Sequence, residues 1–159
     1  MGTDIYLIWN NQSEEEKERQ CTGFSIDAGN VGYLRASIGM TTENYLLRVL
    51  FPDHWEGNEP KPFDFNNPDN KKRLNACAVA YLATVLTGKQ VSHEKHKKAE
   101  KFGQELAAVL EKMGIGKAVS NGEIDLRSAI MWLNSLYNFY ELGRKKQKEG
   151  GNPAILISW

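Results

Sequence analysis

The fold is decided by a stretch near the start of the chain, Asp4-Ile5-Tyr6-Leu7-Ile8-Trp9. Its β-branched and aromatic residues predict a strand, and its unbroken apolar run predicts burial on both faces. A similar stretch, Ala154-Ile155-Leu156-Ile157-Ser158-Trp159, closes the sequence. A terminal strand stays ordered only when it is paired. We therefore expect both strands to lie centrally in one small sheet, where they could be neighbours.

The rest of the chain is mainly helical in its sequence pattern. Apolar residues recur at helical spacing over 71–87, 92–113 and 123–147. Ser13 and Glu16 form a capping box, which predicts a short helix over 14–20. A short strand is expected over 23–26. Residues 45–51 are too few to distinguish a helix capped by Thr42 from a strand.

These patterns predict a single α+β domain over residues 1–159. Its small sheet contains the N- and C-terminal strands and is covered by about three longer helices. Residues 71–113 form a helical middle that resembles an insertion. A chain of 159 residues is long enough to bury a substantial core.

Composition argues against several classes of protein. Twenty basic residues balance twenty acidic ones, so nucleic acid is an unlikely partner, because duplex binding usually requires a basic excess. Two cysteines, Cys21 and Cys77, favour free thiols in a reducing compartment over a disulfide framework. No secretory leader and no apolar run of about 18 residues stands in the sequence. We expect a cytoplasmic protein that makes no use of a membrane.

Residues 25–35 hold the strongest candidate for a binding site. Gly29 and Gly32 can adopt positive φ and bring backbone amides close to an anion. Arg35 has the forked geometry that matches a carboxylate or phosphate. The glycine spacing matches neither the P-loop nor the dinucleotide fingerprint, so a tight turn stabilised by local hydrogen bonds is the competing interpretation.

Two later residues extend this candidate site. Arg48 is a second cation, and Trp55 lies in the proline-rich segment 52–70, which is long enough to act as a lid. The alternative is that the aromatic residues of this segment only attach it to the core. The predicted ligand-binding residues are Asp27, Asn30, Tyr33, Arg35, Arg48 and Trp55.

Neither catalysis nor metal binding has a clear sequence signal. No nucleophile elbow occurs, and Cys77 lies on the apolar stripe of a helix, where a thiol is usually inert. Asp27 and His54 could act as an acid–base pair, but nothing in the sequence indicates that they meet. His93 and His96 stand among lysines that disfavour a bound cation. We therefore predict no catalytic residue, no metal and no cofactor.

Several segments together resemble a group of small uncharacterised bacterial and phage proteins. They are residues 4–9, Thr22-Gly23-Phe24, Gly29-Asn30-Val31-Gly32-Tyr33-Leu34-Arg35, Arg48-Val49-Leu50-Phe51-Pro52 and residues 155–159. The resemblance covers roughly the first third of the chain and its last few residues. It implies no catalytic residue, because the group has no agreed function. The longer helical middle departs from the pattern.

Our first hypothesis is a non-enzymatic binding module for a small anionic ligand, with a nucleotide-like molecule as one candidate. If a phage encodes the chain, such a module would be an anti-defense sponge that sequesters a host immune nucleotide signal. The alternatives are a small hydrolase or transferase that uses Asp27 or His54, and a protein-interaction domain that uses the helical middle. Self-association into a homo-oligomer stays open, including a dimer that completes the pocket.

Overall fold

The structure is a computed structural model that describes residues 2–22, 28–37, 42–87 and 126–158. The described strands are β1 (Gly2–Ile8), β2 (Tyr33–Ser37), β3 (Lys61–Pro62) and β4 (Ala154–Ser158). The described helices are α1 (Glu14–Thr22), a 3-10 helix (Ala28–Val31), α2 (Thr42–Leu50), α3 (Pro68–Thr87) and α4 (Leu126–Lys148). The predicted strand 23–26 and helix 92–113 lie outside the described residues.

The two strands from the chain ends are central neighbours in one antiparallel sheet of order β2-β1-β4-β3. Ile5 of β1 is opposite Leu34 of β2 on one side and Ile157 of β4 on the other. All three side chains are almost fully buried. The predicted α+β fold, with a small sheet that contains both terminal strands, is confirmed.

The prediction that β1 is buried on both faces is wrong. Its residues alternate, so that Thr3, Ile5 and Leu7 are buried while Asp4, Tyr6 and Ile8 are half-buried. The described helices contribute their apolar residues to the core on the first of these faces only. We call the other one the outer face; it carries Asp4, Tyr6 and Ile8 of β1, Tyr33 and Arg35 of β2, and Ala154, Leu156 and Ser158 of β4.

The helices cover the inner face with large side chains. Residues 42–50 form a helix, which resolves the ambiguity of that segment, and Leu46, Leu47 and Leu50 are buried on it. Helix α3 begins at Pro68, a residue favoured in the first turn because it has no N–H to leave unpaired. Phe139 and Tyr140 of α4 are also fully buried.

Polar contacts attach α1 to the sheet. The predicted capping box forms, since Ser13 N–H donates to Glu16 Oε2 at 2.8 Å and Glu16 N–H donates to Ser13 Oγ at 3.1 Å. At the other end of α1, the buried Gln20 amide donates to the carbonyl oxygens of Leu7 at 2.8 Å and Gly32 at 3.2 Å. Leu7 N–H also donates to Gly32 O at 2.8 Å. The turn that leads into β2 is thus fixed against β1.

A close approach of two backbones positions the 3-10 helix. Gly29 N–H donates to Ser135 Oγ of α4 at 2.9 Å. A Cβ atom at Gly29 would overlap the carbonyl oxygen of Ser135. Since that oxygen belongs to the backbone of a long helix, it could move aside only if the helix were distorted. Only glycine fits at this contact, which explains one of the two glycines that the sequence singles out.

Gly29→Ala should lower the free energy of unfolding by at least about 3 kcal/mol, because overpacking against backbone exceeds the usual cost of an added methyl group. Gly57→Ala is the control: Gly57 has a φ of 84°, and a Cβ atom there would meet nothing within 4 Å. Its cost should be about 1–2 kcal/mol, from the left-handed conformation alone. Urea unfolding of both variants measures the difference, and equal losses would contradict the proposed contact.

Candidate functional site

The outer face presents two parallel rows of side chains that cross three strands. Strand register places Arg35, Asp4 and Ser158 side by side from β2 across β1 to β4. The adjacent row consists of Tyr33, Tyr6 and Leu156. We call the first the polar row and the second the aromatic row. Residues two apart on a strand are separated by about 7 Å, which sets the spacing of the rows.

Asp4 is the centre of the polar row. The hydroxyl group of the buried Tyr33 donates to Asp4 Oδ1 at 2.6 Å, and Arg35 Nε lies 3.8 Å from the same oxygen. Burial, together with the hydrogen bond to the Asp4 carboxylate, raises the pKa of Tyr33 above its ordinary value. Tyr33 therefore stays protonated and holds Asp4 in one orientation.

Arg35 lies over strand β1. A Cβ atom at Gly2 would come within 2.8 Å of Arg35 Nε, so the glycine leaves the room that the Arg35 side chain occupies. The Arg35 side chain is 37% exposed and that of Asp4 is 23% exposed. A guanidinium group carries five N–H donors in a planar fork. Arg35 thus presents a positioned cation at the protein surface.

Tyr6 provides a ring beside this cation. Its ring centroid lies 5.3 Å from that of Tyr33, with the planes tilted by 47°. Burial first, and then the nearby Asp4 carboxylate, raises the pKa of Tyr6 above its ordinary value. Since Tyr6 is half-buried, it offers a neutral aromatic surface next to the charged pair of the polar row.

The other two predicted residues form a separate pair. The guanidinium carbon of Arg48 lies 4.1 Å from the centroid of the Trp55 ring. Trp55 belongs to the same apolar cluster as Leu34 and Ala36, which alternate along β2 with Tyr33 and Arg35. Arg48 and Trp55 are therefore on the helical side of the sheet, whereas Tyr33 and Arg35 are on the outer face.

The remaining predicted residues, Asp27 and Asn30, belong neither to the Arg48–Trp55 pair nor to the group formed by Tyr33 and Arg35. Asn30 is exposed on the 3-10 helix, and Asp27 lies outside the described residues. The structure thus brings Tyr33 and Arg35 together, and Arg48 with Trp55, but does not assemble one pocket from both pairs. A role in ligand binding stays a prediction for each residue.

Four residues of the two rows were not among the predicted site residues: Asp4, Tyr6, Leu156 and Ser158. Their signal was the alternation of side chains along a strand, which puts positions 4 and 6 on the same face. The unbroken apolar run over residues 4–9 hid that alternation, since Tyr6 and Ile8 count as apolar wherever they point. Ser158 follows from the pairing of the terminal strands once their register is known.

The Arg48 and Trp55 contact should stabilise the fold, because a cation over an indole ring that is only 8% exposed is partly desolvated. In a double-mutant cycle, Arg48→Met and Trp55→Leu should show a coupling of about 1 kcal/mol in urea unfolding. Arg144→Met, which replaces an arginine that pairs with Glu141 on α4, is the control and should show none with Trp55→Leu. A coupling near zero for the first pair would contradict a stabilising contact.

His54 is held in the interior of the segment that contains Trp55. It is 7% exposed, and its Nε2 atom lies 3.1 Å from the carbonyl oxygens of both Lys61 and Pro62. Carbonyl oxygens only accept, so Nε2 carries the proton and donates to strand β3. Phe51 and Phe63 contact the ring edge-on. His54 therefore attaches the segment to the sheet, which supports the structural interpretation of this segment's aromatic residues.

Burial lowers the pKa of His54 below its ordinary value of 6.5, although the two carbonyl groups and Asp53 act in the opposite direction. The unfolded chain then binds more protons than the folded one as pH falls below about 6.5. The free energy of unfolding should decrease there, with a slope that approaches about 1.4 kcal/mol per pH unit. His54→Gln, which keeps an N–H donor, should remove that part of the slope in urea titrations between pH 7 and 5. An unchanged slope would contradict the assignment.

Comparison with known proteins gave no match to any family model, curated protein or solved structure. The resemblance in sequence pattern therefore stays a prediction. Among the helices that the structure describes, none is long and apolar enough to cross a membrane. Within residues 2–22, 28–37, 42–87 and 126–158, no three His, Cys, Asp or Glu side chains are grouped so that they could hold a metal ion.

Proposed function

We propose that the protein is a non-enzymatic binding module for a small anionic, nucleotide-like ligand, and that Arg35 on the outer face holds its anionic group. One observation carries the proposal: the partly exposed side chain of Arg35 lies over Gly2 and beside Asp4, in the row next to the half-buried Tyr6. A cation that is already oriented loses little side-chain freedom when an anion binds.

The two rows favour a ligand with two chemically different ends. An anionic group would bind in the polar row, while a flat ring would cover Tyr6 and Leu156 about 7 Å away. A nucleotide has both parts. Base stacking on an aromatic side chain tolerates any base, so Tyr6 would add affinity without selecting a particular one.

The hydrolase or transferase alternative has less support. His54, its described acid–base candidate, is buried among phenylalanine rings and donates to backbone carbonyl groups. These contacts give His54 a structural role. If a phage encodes the chain, a binding module without turnover could act as a sponge that sequesters a host immune nucleotide signal. Residues 88–113 of the helical middle, on which the protein-interaction alternative depends, lie outside the described residues, and that alternative stays a hypothesis.

A thermal-shift assay with millimolar AMP, and separately with inorganic phosphate, tests the proposal. A ligand at ten times its Kd stabilises the folded state by about 1.4 kcal/mol, which raises Tm by a few degrees. Arg35→Ala should abolish the shift. Arg144→Ala, which removes a partly exposed arginine of α4, should retain it. No shift in the wild-type protein, or equal shifts in all three proteins, would rule out binding at Arg35.

A further inference from the structure

We propose that the ligand carries a hydrogen-bond donor next to its anionic group, so that Arg35 binds the anion while Asp4 accepts from the donor. This inference rests on the proposed function, because it assigns a second partner within the same site. It excludes a bare anion as the preferred ligand. The expected ligand is a small molecule with a flat ring, an anionic group and an ammonium or hydroxyl group within a few bonds of that anionic group.

The contacts of Asp4 give the first argument. Both of its side-chain contacts among the described residues, from Tyr33 and Arg35, fall on Oδ1. A carboxylate has two oxygens and about four acceptor sites. Oδ2 is thus left as an acceptor on a side chain that is 23% exposed. Because the Tyr33 hydroxyl fixes the carboxylate, this second acceptor has a defined direction.

The charge of the polar row gives the second argument. Arg35 contributes one positive charge and Asp4 one negative charge, with Ser158 as an uncharged, exposed neighbour. A bare anion beside Arg35 would also lie close to the Asp4 carboxylate, and like charges repel. A ligand that carries both an anion and a donor avoids this repulsion, since each of its groups meets the complementary charge.

The aromatic row gives the third argument. Tyr6 and Leu156 are half-buried neighbours in register, about 7 Å along the strands from the polar row. A ring attached a few bonds from the charged groups would cover this apolar surface. Two kinds of small molecule share this chemistry: an aromatic amino acid, whose donor is an ammonium group, and a ribonucleoside monophosphate, whose donors are ribose hydroxyl groups.

Isothermal titration calorimetry with matched pairs of probes tests the proposal. The pairs are phenylalanine with 3-phenylpropionate, which lacks the ammonium group, and AMP with 2′,3′-dideoxy-AMP, which lacks the ribose hydroxyl groups. In at least one pair the complete ligand should bind about tenfold more tightly, as expected for a charge-assisted hydrogen bond. The pair that shows the preference identifies the source of the donor.

Asp4→Asn is the decisive variant. Its side-chain oxygen can still accept from Tyr33, while its NH₂ group replaces Oδ2 and turns an acceptor into a donor. The preference for the complete ligand should fall below about threefold, and inorganic phosphate should bind more tightly than it does to the wild-type protein. The melting temperature of the variant shows whether it is folded; if it is not, the wild-type comparison of the probe pairs alone decides.

The outcomes separate this proposal from the one on which it rests. If both members of each pair bind within about threefold of one another, and Arg35→Ala abolishes binding, the anion site stands and the donor partner is overturned. If neither phosphate nor any of the four organic probes binds, both proposals fall. A preference for the complete ligand that persists in Asp4→Asn would also overturn the role of Asp4.

Discussion

The antiparallel pairing of β1 with both β2 and β4 is the constraint on which the rest of the structure depends. Each position of β1 faces one fixed neighbour on either side, so a single register decides every row of the sheet. A slip by one residue would turn Ile5 and Leu7 outward and bring Asp4 into the core. The burial of those apolar residues therefore specifies the register. The polar row exists because the core requires that register.

The sheet and the helices use their arginines in different ways. Arg48 covers an indole ring in the helical layer, where removing it would expose apolar surface and lose a packing contact. Arg35 crosses Gly2 on the outer face and faces a carboxylate that is held by Tyr33. The first arrangement is explained by stability alone. The second orients a partly exposed cation beside a half-buried carboxylate on the outer face.

The sequence carried enough information to predict the sheet but not the site. Terminal strands were predictable because β-branched residues cluster there, and α3 and α4 because apolar residues recur at helical spacing. Burial on both faces of β1 was wrong, since a run of apolar letters does not show which side the helices cover. Neither spacing nor composition predicts that Arg48 and Trp55 contact each other; only the folded structure shows this contact. Asp4 and Tyr6 needed the register of both neighbouring strands.

The hydrogen bond from Tyr33 to Asp4 connects stability with recognition. Tyr33 is 1% exposed, so its hydroxyl group would be left without its acceptor if Asp4 were lost, at a cost of about 1–3 kcal/mol. That cost keeps the carboxylate in place whether or not a ligand is bound. Gly2 leaves room for the Arg35 side chain to cross the same strand. The Arg35 donors and the Asp4 acceptor are therefore both positioned before any ligand binds. Preorganisation of this kind favours affinity for a small molecule that matches both groups, and it penalises one that matches only the cation.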